Sequence, residues 1–261
     1  MREKKVVIEV GDGAAIPDPN DKGLFTAWRI SFFGTLAIMA FLVINRPDPY
    51  LDILKYLPDG ILITFKVTFA SIALALVLGL IAGLGRISKN KFFNLAASTY
   101  IEVVRGIPLL VQLFYIYFAL GHIVRVPDLV AAIIAMGFCY GAYMGEVFRA
   151  GINSIDDGQS EASLSLGFNR SQTMRYVILP QAWRTILPPV GNEFIALLKD
   201  TSLVSILAVS DILRRGREFA SESFLYFETY TMIALVYLLI TLILSKLLSN
   251  IENRLGHYER R

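Results

Sequence analysis

The sequence predicts an all-α integral membrane protein, a helical bundle of about six transmembrane helices with short polar helices on its cytoplasmic face. Three observations predict it. First, 55% of the 261 residues are hydrophobic and only 18% are charged, against about 25% charged in soluble domains, and mean hydropathy is +0.55. Second, six stretches come near the roughly 20 apolar residues that span a bilayer. Third, one long polar stretch, "EASLSLGFNRSQTMRYVILPQAWR" from Glu161 to Arg184, lies between two of them. Helices are the expected form, because lipid offers backbone N–H and C=O groups no partners.

The elements follow in chain order. Residues 1–24 contain "GDGAAIPDPND" and read as a flexible tail. The GDG within it lacks the strand and helix context of a phosphate loop. The first span, Phe25–Ile44 within a segment 25–46, starts too far from the N-terminus and runs too long for a signal peptide, so it reads as an uncleaved anchor. Ile61–Ile87, about Ala97–Leu120 and Leu129 to about Phe148 are the next three. After the polar stretch come about Ile186–Val209 and Phe227–Leu248, then a tail at 255–261.

Orientation follows from Lys and Arg in the short loops. With the N-terminus inside, the inner segments hold Arg2, Lys4, Lys5, Lys22, Arg86, Lys89, Lys91, Arg149, Arg170, Arg175, Arg184, Lys246, Arg254, Arg260 and Arg261. The outer loops hold Arg46, Lys55, Arg125 and the dissenting cluster Arg214, Arg215 and Arg217. Both termini and the polar stretch are therefore expected in the cytoplasm.

Several functions are disfavoured. A net charge of +3 is too small for a nucleic-acid partner. The single Cys139 excludes an internal disulfide framework and a cysteine zinc site. His122 and His257 are far apart and suggest no metal motif, and neither sits beside a nucleophile, so no catalytic residue is expected. No GxxxxGK[ST] occurs, so the chain has no ATPase site of its own.

The polar stretch is built as two short helices. Asp157 can cap a first helix over Gln159–Leu166, Gly167 ends it with a positive φ, and Asn169 with Gln172 has capping-box spacing for a second. Pro180 is expected to stop that second helix. From periodicity alone this fits either an amphipathic helix lying on the bilayer or a docking surface, since a connection longer than about 12–15 residues is usually functional.

The residue pattern resembles the EAA loop of ABC-transporter permeases, carried here by Glu161, Ala162, Ser163, Gly167, Val177, Leu179 and Pro180. Ser163 and Val177 depart from it, standing for Ala and Ile. "YIEVVRGIPLLVQLFYIYFAL", "GAYMGEVFRAGINSI" and "LPPVGNEFIALLKDTSLVSILAVSDILRR" look like spans of the polar amino-acid group, the histidine, glutamine, glutamate, arginine and opine type. Ile107 departs from the small polar residue usual before "PLLVQ". The likeness runs over about 56–254, with the coupling loop at about 157–180, and leaves 25–46 as an N-terminal addition to a five-helix type I importer core. It implies that the loop docks on a separate ATPase, present in two copies and holding ATP and Mg, while this chain binds no cofactor or metal. It further implies a second permease chain, identical or related, an external binding protein that delivers the amino acid, and transport by alternating access across the cytoplasmic membrane.

Charges and glycines inside the spans complete the expectations. Gly79 with Gly83, and Gly137, Gly141 and Gly145, are spaced for close helix approach, within the bundle or across a dimer. Glu102 with Arg105 and Glu146 with Arg149 are i,i+3 pairs expected to be structural or to form an inner gate. Glu193, Lys199 and Asp200 fall in an otherwise apolar stretch. A charge there costs at least about 2.5 kcal/mol, so such groups pair or line a polar cavity. Glu193 and Asp200 share a face, and Lys199 shares one with Asn192. They either brace the helices or, with Gln112, contact a zwitterionic substrate. An ion-driven secondary amino-acid carrier is the rival reading, since intramembrane carboxylates suit ion coupling, and a non-transporting anchor or sensor ranks below both.

Overall fold

The computed structural model describes residues 26–124 and 126–256. The expected tail at 1–24 and residues 257–261 of the C-terminal tail lie outside the described residues, as do Phe25 and Arg125.

Helix α1 (Ala27–Asn45) is the N-terminal span, and the Thr26 side chain caps it by accepting from the Arg29 N–H. The "NRPDPY" that follows, expected as a loop, opens helix α2 (Pro47–Tyr56), which buries Tyr50 and Ile53. Proline suits a helix start because its missing N–H would have no partner there. Helix α3 (Pro58–Arg86) begins on another proline. Helices α4 (Lys91–Gly106) and α5 (Leu109–Ile123) precede α6 (Asp128–Asn153). Two short helices, α7 (Asp157–Ser165) and α8 (Arg170–Thr173), lead through a wide π turn, Met174–Ile178, into α9 (Leu179–Asp200). A tight 3-10 turn, Thr201–Leu207, joins α9 to α10 (Ile212–Ser223), and α11 (Tyr226–Gly256) closes the chain.

By length and apolarity four helical segments among the described residues can cross a membrane, Ala27–Asn45, Pro47–Arg86, Asp128–Asn153 and Tyr226–Arg254, and a fifth crossing arises if α4 and α5 count as one broken span bent by 108°. The expected third span is thus not one straight helix. Its break has a local cause. A residue before proline is pushed out of the helical region, and Ile107 accordingly sits at φ −106, ψ 132. Pro108 also has no N–H to give the Val104 carbonyl. Gln112 repairs this: its Nε2 donates to the Val104 oxygen at 2.6 Å and to the Ile107 oxygen at 2.7 Å. The expected span at Ile186–Val209 is helical to Asp200 and then narrows to the 3-10 turn, with Pro188 and Pro189 inside α9.

Close approach of small residues sets the core. A Cβ on Gly83 would meet the Phe148 Cβ at 2.8 Å and the Gly145 oxygen at 2.9 Å, one on Gly137 would meet Leu74, and one on Gly79 would collide with the Met144 Cβ. Residues 74, 79 and 83 thus meet 137, 144 and 148 in order, so α3 and α6 run parallel in the tightest pairing of the bundle. The glycine spacing read from the sequence works within the chain, between these helices. Along α9, the Cβ position of Gly151 faces Ile186 while Tyr140 reaches Asp200, so α9 runs antiparallel to α6. Trp28 Nε1 donates to the Leu242 oxygen at 2.9 Å, and the Lys246 ammonium lies 5.5 Å from the Trp28 ring. The start of α1 therefore lies beside the second half of α11. The Cβ position of Gly191 in α9 meets Leu248 in α11, and together these contacts put the end of α6, the start of α9, the end of α11 and the start of α1 on one side of the bundle.

Candidate functional site

Two places in the fold can carry function: the α7–α8 hairpin at one end of the bundle, and a polar cluster halfway along α6.

The hairpin is fixed by local chemistry. Asp156, one residue before the expected cap, starts α7 by accepting from the Gly158 N–H at 2.7 Å. The helix ends in paired bonds from Gly167 N to Leu164 O at 3.0 Å and from Phe168 N to Ser163 O at 3.1 Å, the pattern that needs a left-handed residue between them. Gly167 supplies it at φ +87. Asn169 and Gln172 form the expected capping box. Pro180 does not stop the second helix. The π turn ahead of it gives the Met174 carbonyl the Leu179 N–H, and a widened turn relieves the clash that a proline ring makes with the preceding turn. Ser163 replaces the small apolar residue of the resembled motif and is 3% exposed. Its hydroxyl lies 2.9 Å from the Thr173 hydroxyl and 2.9 Å from the Ser160 oxygen, pinning α7 to α8. Glu161, Ala162, Leu179 and Pro180 are exposed and Val177 is half-buried. Leu164, Leu166, Phe168, Tyr176 and Trp183 also stand exposed on or beside the hairpin. A cleft of about 680 Å³ separates it from the span ends, lined in part by Ile87, Lys89, Asn153, Asp157, Arg170 and Met174. The result is a projection with an apolar and charged face and no covering element among the described residues.

The second place is beside α6, where α4 breaks from α5 and α9 narrows into the 3-10 turn. Asp200, the last residue of α9, accepts a hydrogen bond from Tyr140 Oη at 2.8 Å. Tyr140 and Tyr143 pack with ring centroids 5.7 Å apart, and the Arg105 guanidinium lies 5.3 Å from the Tyr143 ring. Asp200 and Glu193 both act electrostatically on Tyr140, Tyr143 and Cys139. Asp200 and Glu193 are half-buried, while Asn192 and Lys199 are exposed. Lys199 forms no ion pair within 4 Å among the described residues. Gln112 is 6% exposed and spends its amide N–H groups on the α4–α5 break. Its Oε1 is buried without a hydrogen-bond partner among the described residues. Sequence reasoning missed Tyr140 and Tyr143, since aromatic residues on an apolar helix carry no signal of what they face.

The charge pairs regroup toward the end of α6. Glu146 accepts from Arg149 Nε at 2.9 Å, as its spacing predicted, and from Arg86 Nη1 at 2.8 Å. Glu102 does not pair with Arg105. It meets Arg86 Nη2 at 3.5 Å, because the end of α3 brings that guanidinium between α4 and α6. Arg86, Glu102, Glu146 and Arg149 therefore form one network over three helices. Among the described residues no group of three or more His, Cys, Asp or Glu is arranged to hold a metal.

Known proteins share this architecture. Residues 75–257 match the family described as binding-protein-dependent transport system inner membrane component. The glutamine transport system permease protein GlnP of Escherichia coli (strain K12) is 40% identical over 200 residues, covering 76% of this chain and 91% of that protein. The probable amino-acid permease protein YxeN of Bacillus subtilis (strain 168) is 43% identical over 189 residues, covering 70% and 84%. The crystal structure of an amino acid ABC transporter with histidines superposes with a TM-score of 0.74 at 43% identity, over 78% of this chain and 97% of that one. Nothing in these likenesses supports an ion-driven carrier. The chain belongs to the family of binding-protein-dependent transport system inner membrane components, the permease subunits of ABC importers.

Proposed function

We propose that this permease subunit carries a polar amino acid, of the glutamine and histidine class named for its relatives, by alternating access past the cluster of Glu193, Asp200, Tyr140 and Tyr143. As the permease component it has no ATPase domain. Two copies of a partner ATPase, holding ATP and Mg, dock on residues 157–180, and an external binding protein delivers the cargo. A second permease chain, identical or related, encloses the path. The chain crosses the inner membrane six times with both termini cytoplasmic. The sixth crossing is α9 with its 3-10 extension, polar where it passes the cluster. The placement of α1 against the end of α11 supports a shared side for the termini, and the loop charges choose the cytoplasm.

The observation that carries the transport path is that the α4–α5 break at Ile107–Pro108, flanked by Val104 and Leu109 packed near Cys139 and Ala142, and the narrowing of α9 into a 3-10 turn after Asp200, bonded to Tyr140, both lie beside the middle of α6. A helix broken at half depth exposes polar backbone, which lipid tolerates only where protein or a wet cavity satisfies it. Glu193→Gln and Asp200→Asn keep shape and remove charge. Each is expected to lower uptake, or to change the preference between cationic and anionic amino acids, in reconstituted vesicles. Unchanged kinetics and selectivity in both variants, with normal assembly, would reduce the carboxylates to internal braces.

A further inference from the structure

We propose that Arg105 receives the α-carboxylate of the transported amino acid, opposite the Glu193 and Asp200 carboxylates that receive its ammonium group. The inference rests on the reading of the cluster as the substrate path.

Arg105 lies in the last turn of α4, two residues before the helix breaks. A guanidinium inside a span is costly; Arg105 is exposed and feels the Glu146 carboxylate only at a distance, with no ion pair to it. Glu102, its neighbour on the same face, is drawn to Arg86 instead. Among the described residues Arg105 forms no ion pair within 4 Å and no hydrogen bond. Its guanidinium lies over the face of Tyr143, 5.3 Å from the ring centroid. A cation over an aromatic face is stabilised without using its N–H groups, and the C-terminal end of α4 favours positive charge. The side chain is thus held in place with its planar fork of donors open. That fork matches a carboxylate in bidentate geometry.

The surroundings set a polarity. Tyr143 feels Arg105 on one hand and Glu193 and Asp200 on the other. Tyr140 stands next to Tyr143 and holds Asp200 by its hydroxyl. Two rings therefore lie between a free cation and a pair of carboxylates. A zwitterion laid across them meets opposite charge at both ends, whereas an amine without a carboxylate gains only one.

The test uses the assembled complex with its ATPase in nanodiscs, without the binding protein, so that only the permease path reads the ligand. Binding of L-glutamine and L-arginine is measured by calorimetry beside their α-carboxamides, which lack the negative charge. Arg105→Gln is expected to weaken whichever amino acid binds by about tenfold or more, the scale of a lost charge-assisted contact. It should leave carboxamide binding unchanged, so that the preference for the acid disappears. Arg105→Lys keeps the charge without the fork, should retain part of the preference, and carries the test if the glutamine variant fails to assemble. Asp200→Asn should weaken acid and carboxamide alike. Full preference for the acid in both Arg105 variants, with Asp200→Asn still weakening both ligands, overturns the role of Arg105 and leaves the path standing. Wild-type binding in Asp200→Asn and Glu193→Gln, or no binding by the wild-type complex, overturns the path itself.

Discussion

Replacing Gly167 with valine strains the turn of the α7–α8 hairpin and touches none of the spans. The residue sits at φ +87 with no heavy atom within 4 Å of a Cβ built on it, so the cost is one of backbone conformation alone. A left-handed L-residue costs roughly 1–2 kcal/mol, and a β-branched one is a stronger outlier. The chain can escape by leaving that conformation, which gives up the Gly167–Leu164 and Phe168–Ser163 bonds at about 0.5–1.5 kcal/mol each. Either route costs about 1–3 kcal/mol, more than the single buried hydroxyl pair of Ser163 and Thr173 can offset. Helix α7 should therefore shift against α8. The assay is uptake per ATP hydrolysed in vesicles holding the assembled complex. Gly167→Val should insert and assemble normally but lose roughly tenfold in that ratio, since about 1.4 kcal/mol is a factor of ten, with Gly167→Ala between. Ser163→Ala, which loses one buried hydrogen bond worth about 1 kcal/mol but keeps the turn, should stay coupled. Wild-type coupling in Gly167→Val would refute the hairpin as the transmission element.

Three further outcomes are expected. Gln112→Leu takes the side-chain donor from the Ile107 carbonyl and leaves the Val104 carbonyl only the long bond from Ile107 N–H at 3.4 Å; it should cost about 1–3 kcal/mol, read as a lower melting temperature in detergent. Gly83→Leu drives a side chain into the backbone of α6 at Gly145 and should abolish assembly, whereas Gly34→Leu on α1, with open space around it, should be tolerated. A reporter active only in the cytoplasm should give signal after Arg261 and none near Val126, and the reverse pattern would overturn the orientation.

What was legible in the sequence was whatever depends on nearest neighbours along the chain. The capping box at Asn169, the positive φ of Gly167 and the Glu146–Arg149 pair all lie within one helical turn or one loop, and all formed. The glycine spacing identified close helix contacts, though only the fold could say that α3 and α6 make them. Pro108 was visible but its consequence was not, because the run around it stays apolar on both sides of the break. Pro180 misled for the opposite reason: a proline stops a regular helix, yet a single π turn lets the chain continue. Glu102 and Arg105 have the right spacing to pair, but Arg86, distant in sequence, captures Glu102 across the bundle. Lys199 and Gln112 show the same limit. Spacing puts them in the span, while contact decides that one is exposed and the other ties down a helix break.

The central claim is that ATP hydrolysis on a partner, and no ion gradient, drives a polar amino acid through this chain. Uptake of radiolabelled amino acid into proteoliposomes tests it most directly, with the permease reconstituted with and without its ATPase and with the cognate binding protein outside. The account predicts accumulation that requires both the ATPase and ATP inside the binding sites of that partner, and none from an imposed proton or sodium gradient across vesicles holding the permease alone. Gradient-driven accumulation by the permease without its ATPase would contradict it.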